Sequence, residues 1–203
     1  LSIPVDTGFF VLPYKMTTYQ SEHGPVFRTP HGDYAIRYAG IDRAIFAVEQ
    51  WFRMNKARDL NEWKQAMRIH ALPMFNTGYA DKDNIFYVYN ALLPQRKPGW
   101  DYQTILPGDR SDLIWKQYLP WDRLPQVHNP PAGFVQNCNA TPFHATLGAA
   151  NPDPKLFPKE AGIEHHQNNR SLRSLALLAP PKKLTRADFL AMKFDRTYDK
   201  RSP

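Results

Sequence analysis

From Gly8 to Tyr38 the strand-favouring residues Phe9, Phe10, Val11, Tyr14, Thr17, Thr18, Tyr19, Val26 and Phe27 recur between turn signals at His23-Gly24-Pro25 and Pro30-His31-Gly32-Asp33. This pattern predicts antiparallel strands and hairpins. At Ile41 the period changes. Ile41, Ala44, Ile45, Val48, Trp51 and Phe52 fall at helical spacing, which predicts one apolar stripe on a helix ending near Asn55. Asp59, with Glu62 three residues on, is placed to cap a second helix whose buried face carries Leu60, Trp63, Met67 and His70 and which stops by Pro73.

Two further strand-like runs, Phe75 to Ala80 and Asn84 to Asn90, flank Asp81-Lys82-Asp83, a connection of hairpin length. From Leu92 to Ala132 Pro, Gly, Trp and Tyr dominate without a sustained period, as in a long functional loop. A short strand is expected over Phe134 to Asn137, and alternation along it would turn the neighbouring Cys138 to the opposite face, into packing. After an irregular excursion through Asn151-Pro152-Asp153-Pro154 and Pro158, Asn168 or Asn169 can cap a helix carrying Leu172, Leu175 and Leu178. A last helix starts at Thr185, with Asp188 three residues on. No internal repeat or clean linker divides residues 1–203.

Composition narrows the class. The 203 residues, 42% of them hydrophobic, suffice for one sizeable core or two small ones. Nineteen Pro against ten Gly predict rigid, irregular connections, and the single cysteine excludes an internal disulfide. These residues contain neither an apolar run of about 18 nor a basic-then-apolar leader, so no membrane span or signal peptide is expected within them. The net charge of +7 would suit nucleic acid only if the basic residues clustered on one face. They are scattered instead, with acidic neighbours as between Lys56 and Lys64, and the most basic stretch, Lys193 to Arg201, is the C-terminal tail. His165-His166 carries no paired-ligand spacing, so a zinc site is not expected.

Several segments, in order, resemble the penicillin acylase family of N-terminal-nucleophile hydrolases, which also includes acyl-homoserine-lactone and cyclic-lipopeptide acylases. They are Tyr19-Gln20-Ser21-Glu22-His23-Gly24-Pro25-Val26, Tyr34-Ala35-Ile36-Arg37 with the later Gln50-Trp51-Phe52, and Phe75-Asn76-Thr77 with Asn84-Ile85-Phe86-Tyr87. The most specific is Leu124-Pro125 followed by Asn129-Pro130-Pro131-Ala132-Gly133-Phe134-Val135-Gln136-Asn137-Cys138-Asn139 and Thr141-Pro142. Asp83 departs from the family, which often has Gly there. The resemblance spans roughly residues 9 to 178.

What the resemblance implies is an α+β fold, part of an αββα sandwich with a strand-rich side region, from the middle and C-terminal part of the nucleophile-bearing chain. The implied activity is hydrolysis of an N-acyl amide by an N-terminal serine of a self-processing precursor. The serine's own α-amino group acts as base, a role suited to a group titrating near pH 8. The chain begins with Leu1, which has no hydroxyl or thiol, so that serine is expected upstream, and the fragment alone is expected to be inactive. The implied partners are the remaining segments of the same precursor, the α chain and the N-terminal part of the β chain, with a small N-acyl substrate and a periplasmic or secreted location. A non-catalytic relative that keeps the fold is the alternative.

The resemblance assigns residues. Asn139, the second asparagine of the family's Asn-x-Asn motif, is expected to donate its amide N–H to the oxyanion formed during acyl transfer. Asn137 is expected to orient Asn139 or the backbone, and Arg170 matches a family arginine that orients the α-amino group or the oxyanion residue. Trp100 and Trp121, with Tyr102, Trp115 and Tyr118, either line an acyl pocket or pin the long loop to the core. No catalytic cofactor is implied. Family members often hold a structural calcium, for which Asp153 is the candidate ligand here; otherwise it is a solvated turn carboxylate.

Overall fold

The computed structural model describes residues 1–180 and 183–202. The chain opens with a hairpin, β1 (Ser2–Asp6) against β2 (Val11–Lys15), in which Ile3 faces Tyr14 and Val5 faces Leu12. Every residue of both strands is exposed. A three-stranded antiparallel meander follows, β3 (Tyr19–Ser21), β4 (Gly24–Thr29) and β5 (Gly32–Ala35), in the order β3-β4-β5. Gly24 is required where it stands. Its φ is +139°, and a Cβ there would sit 2.0 Å from the Ile36 carbonyl oxygen, whose own residue donates its N–H to Pro25 O at 2.9 Å.

Helix α1 (Ala44–Lys56) carries the expected apolar stripe, but the stripe faces outward. Ile45 is 75% exposed, Val48 68% and Phe52 63%, while Gln50 is fully buried. Helix α2 (Leu60–Met67) follows at once, capped by Asp59, whose carboxylate accepts the Glu62 N–H at 2.8 Å. Leu60, Trp63, Ala66 and Met67 are all buried. The helix ends well before Pro73, because His70 takes a left-handed φ of 54° and its Nε2 lies 2.7 Å from Ala91 O. The first helix therefore turns a polar side chain toward the protein, and the second an apolar one.

The core is built on the second three-stranded sheet, β6 (Met74–Ala80), β7 (Ile85–Ala91) and β8 (Gln126–His128), antiparallel in the order β6-β7-β8. From Phe86 to Ala91 every residue of β7 is buried, so this strand is covered on both faces. On one side Phe86 meets Trp63 edge-on at 5.9 Å and stacks with Trp121 at 6.3 Å between ring centroids. On the other, Tyr87 packs with Val127, Ala145 and the half-buried Val135. The short strand expected over Phe134 to Asn137 does not form. Phe134 to Asn137 pairs with no strand, and Gln126–His128 joins the ladder instead, with Phe86 opposite His128 and Val88 opposite Gln126.

The long segment after β7 is irregular, as its composition predicts, with short 3-10 turns at Ser111–Leu113 and Trp121–Arg123. Helix α3 (Asn169–Leu178) is capped by Asn168, which accepts the Ser171 N–H at 3.0 Å. Helix α4 (Arg186–Lys193) carries a complete capping box between Thr185 and Asp188. The arrangement is α+β: helices α1 and α2 stand before the β6-β7-β8 sheet in sequence, and α3 and α4 after it.

Candidate functional site

The Asn137–Asn139 motif sits in a bend that the rest of the chain holds from three sides. Upstream, Gln136 N–H donates to Ala145 O at 2.7 Å and the Thr146 hydroxyl donates to Phe134 O at 2.8 Å, which keeps this stretch extended without a ladder. Downstream, Thr141 N–H donates to His166 O at 3.0 Å. Across the bend, the Asn137 amide donates to Ala140 O at 2.9 Å and its oxygen accepts the Ala140 N–H at 3.3 Å, closing a local turn of the kind asparagine favours.

Asn137 also reaches into the sheet. Its Nδ2 lies 3.4 Å from the Tyr87 hydroxyl, which in turn donates to Asn76 Oδ1 at 2.5 Å. Burial pushes the Tyr87 phenol well above its usual range, so it stays protonated and acts as the donor in that bond. The bend is thus tied to β6 and β7 by a polar chain running through the sheet.

Asn139 adopts a left-handed φ of 57°, a conformation asparagine tolerates better than most residues. Its side chain is exposed, and Arg170 Nη2 donates to its Oδ1 at 3.0 Å. A guanidinium can only donate, so the amide oxygen must face Arg170 and Nδ2 points the other way. That amide N–H₂ makes no hydrogen bond among the described residues. The carbonyls of Cys138 and Asn139 accept from Asn168 Nδ2 at 2.8 and 3.2 Å while the same asparagine caps α3. One residue therefore locks the bend to the start of the helix that carries Arg170.

The structure brings Asn137, Asn139 and Arg170 together and leaves the other expected residues apart. Trp121 is a core residue, 5% exposed, with its indole N–H on Asn90 Oδ1 at 3.0 Å, so it pins the loop rather than lining an open pocket. Trp100 lies beneath the Arg110 guanidinium, 5.4 Å from ring centroid to Cζ, in a depression shared with Glu160 and Lys159. Asp153 accepts the Lys155 N–H at 2.9 Å as the cap of a 3-10 turn. Among the described residues no three His, Cys, Asp or Glu side chains converge as metal ligands.

Cys138 does not turn into packing as expected: no strand forms at Phe134 to Asn137 to set an alternation, and the residue lies half-buried on the wall of a cavity of about 500 Å³ between α3 and α4. Arg170 and Arg173 lie on the same wall, with Leu177, Phe189 and Met192 supplying apolar surface. Sequence reasoning also missed the second duty of Asn168 and the Asn76–Tyr87 link. The cap signal at Asn168 was legible, but nothing in the sequence places it over the bend.

A sequence model described as penicillin amidase matches residues 3–202. Penicillin G acylase of Escherichia coli is 33% identical over 135 residues, covering 61% of this chain and 16% of the relative. The structure of a thermostable penicillin G acylase from Alcaligenes faecalis superposes with a TM-score of 0.72 at 23% identity, covering 95% of this chain and 33% of that one. At that identity the likeness speaks for the fold. The chain spans a third or less of the length of either relative.

Proposed function

The chain belongs to the penicillin amidase family, and from that premise we propose that it supplies the oxyanion-stabilising part of an N-acyl amide hydrolase. Asn139 donates from Nδ2 to the oxygen that gains negative charge as the acyl carbonyl is attacked. Arg170 positions that amide by occupying its oxygen. The observation that carries this reading is the Arg170–Asn139 hydrogen bond, which leaves the donor end of an exposed amide unused. A donor held before the reaction begins needs no reorganisation as charge develops, and this is why it lowers the barrier.

The nucleophile, in this reading, is an N-terminal serine on a segment of the parent protein outside these 203 residues. It approaches over the open side of the bend, near the cavity that Arg170 and Cys138 line. The substrate joins a small amine to a fatty or aromatic acid, and the protein acts in the periplasm or after secretion. The outward face of α1 supports the need for further segments of the same precursor, since Ile45, Val48 and Phe52 stand open to solvent in this chain.

The test is Asn139→Ala in the full-length, processed protein. Turnover on a panel of acylated amines should fall roughly a hundredfold to a thousandfold, about 2.7–4 kcal/mol, with KM and melting temperature little changed. Cys138→Ser should stay within a few-fold of the parent, because the bend uses the Cys138 carbonyl and not its thiol. The reading is overturned if Cys138→Ser abolishes turnover while Asn139→Ala is neutral. If no acylated amine is cleaved after visible self-processing, the protein is a non-catalytic member of the family.

A further inference from the structure

Outside the Asn137–Asn139 bend, two guanidiniums share one indole. Arg37 Cζ lies 4.7 Å from the Trp115 ring centroid and Arg96 Cζ 5.0 Å from it, with Arg96 also 4.9 Å from the Tyr102 ring. Arg37 donates to the carbonyl oxygens of Glu22 at 2.9 Å, His23 at 3.4 Å and Trp115, and Arg96 donates to Glu160 O at 2.9 Å. All these acceptors are backbone. No carboxylate pairs with either arginine among the described residues, and the Nε of each is buried without a partner. Two positive charges are thus held in one place by carbonyls and the π faces of Trp115 and Tyr102, an arrangement that leaves a positive field for an anion.

Both arginines line an open cavity of about 430 Å³, a size typical of small-molecule sites. The rest of its wall is largely apolar, with Ile36, Ile105, Leu106 and Leu113 beside Trp115. The one carboxylate on the wall, Asp33, already pairs with Arg28 at 3.4 Å, and His23 Nε2 lies 3.0 Å from Gly108 O. Burial lowers the Arg96 pKa, so the charged state is held there at a cost that a bound anion would offset. The cavity shares no lining residue with the one beside Arg170.

We propose that this cavity is a second ligand site, taking a carboxylate with an apolar body: the head lies against Arg37 and Arg96, the body against Ile105, Leu106 and Trp115. Planar guanidiniums suit a carboxylate head, and the apolar walls select for a hydrocarbon body over a small inorganic anion. The site does not depend on Asn139 or on amide hydrolysis.

The test uses the full-length protein labelled with 5-fluorotryptophan, the Trp115 resonance being assigned through Trp115→Phe. Octanoate should shift that resonance saturably, and octanamide, the same body without the charge, should bind at least tenfold more weakly. Arg96→Gln should weaken octanoate at least tenfold. Because a half-buried arginine can matter for folding, Ile105→Glu provides an independent check, since Ile105 is 79% exposed at the cavity wall and its replacement sets a negative charge there. It too should weaken octanoate at least tenfold. The proposal is overturned if the Trp115 resonance does not respond, if octanamide binds as tightly as octanoate, or if Ile105→Glu leaves the affinity unchanged.

Discussion

Helices α1 and α2 are consecutive and both amphipathic, yet they are partnered in opposite senses. On α2 the apolar face is inside, with Trp63 wedged between Tyr79 at 5.5 Å and Phe86 at 5.9 Å. On α1 the row turned toward the protein is Arg43, Ala47, Gln50, Met54 and Ala57, while Ile45, Val48 and Phe52 face out. Gln50 replaces apolar packing with hydrogen bonds, accepting the Ala71 N–H at 2.8 Å and pointing Nε2 at Met67 O at 3.5 Å. Helical periodicity says which face avoids water, and it is silent on what covers that face. For α2 the cover is the β6-β7-β8 sheet of the same chain; on α1 Trp51 meets that sheet, edge-on to Phe75 at 5.7 Å, and Ile45, Val48 and Phe52 have no cover among the described residues.

The largest effects test whether the two helices differ in kind or only in where their partner lies. In the full-length protein Trp63→Ala should cost about 3–5 kcal/mol, the usual range for deleting a buried aromatic, read from denaturant unfolding. Phe52→Ala should approach the same cost if further segments of the precursor cover α1. A cost within about 0.5 kcal/mol would mean that the face stays in water in the complete protein, and the assembly proposed above would fail at this surface.

A smaller effect sharpens the role of the inverted face. Replacing Gln50 by Leu improves the match to a hydrophobic interior but leaves the buried Ala71 N–H without an acceptor. Stranding one buried donor costs about 1–3 kcal/mol, so Gln50→Leu should destabilise despite its greater hydrophobicity. Hydrogen exchange at the Ala71 amide, expected to be slow in the parent and fast in the variant, locates the loss. If the variant is more stable, packing outweighs the hydrogen bond and Gln50 is not what fixes α1 on this side.

The same contrast explains what was legible in the sequence. Locally determined features were readable: the Asp59 cap with Glu62, the turn of the hairpin across Asp81-Lys82-Asp83, and the Thr185–Asp188 start of α4 all rest on residues within five positions of one another. The third strand was not, because Gln126–His128 and Phe134–Asn137 offer similar short runs and only the tertiary ladder with β7 chooses between them. The site divides in the same way. The Asn137–Asn139 motif and Arg170 were visible through the family resemblance, and their meeting at 3.0 Å is a tertiary fact. That Asn168 would join them could not be read from its capping preference, since its second bond spans thirty residues.

The smallest effect concerns the C-terminal edge of α2, where the buried helix hands over to the polar contacts beneath α1. His70 is 8% exposed, and burial is the main cause that lowers its pKa, with the Arg43 charge acting in the same direction and the hydrogen bond to Ala91 O opposing both. Its folded value therefore lies below its unfolded one, near 6.5. Below that value the unfolded chain binds the proton more readily than the folded one. The stability owed to a neutral His70 is thus complete above about pH 6.5 and is lost as pH falls from there toward the lower folded pKa. Asn is the informative replacement, because it tolerates the left-handed φ of 54° at this position and does not titrate. Melting temperatures of parent and His70→Asn, measured from pH 7.5 downward, should converge as the pH drops just below 6.5, while carboxylates such as Asp81, held at about 2 by hydrogen bonds from Asp83 N–H and Tyr79, remain charged. A constant gap between the two curves through that interval would show that His70 does not carry a proton-linked share of the stability.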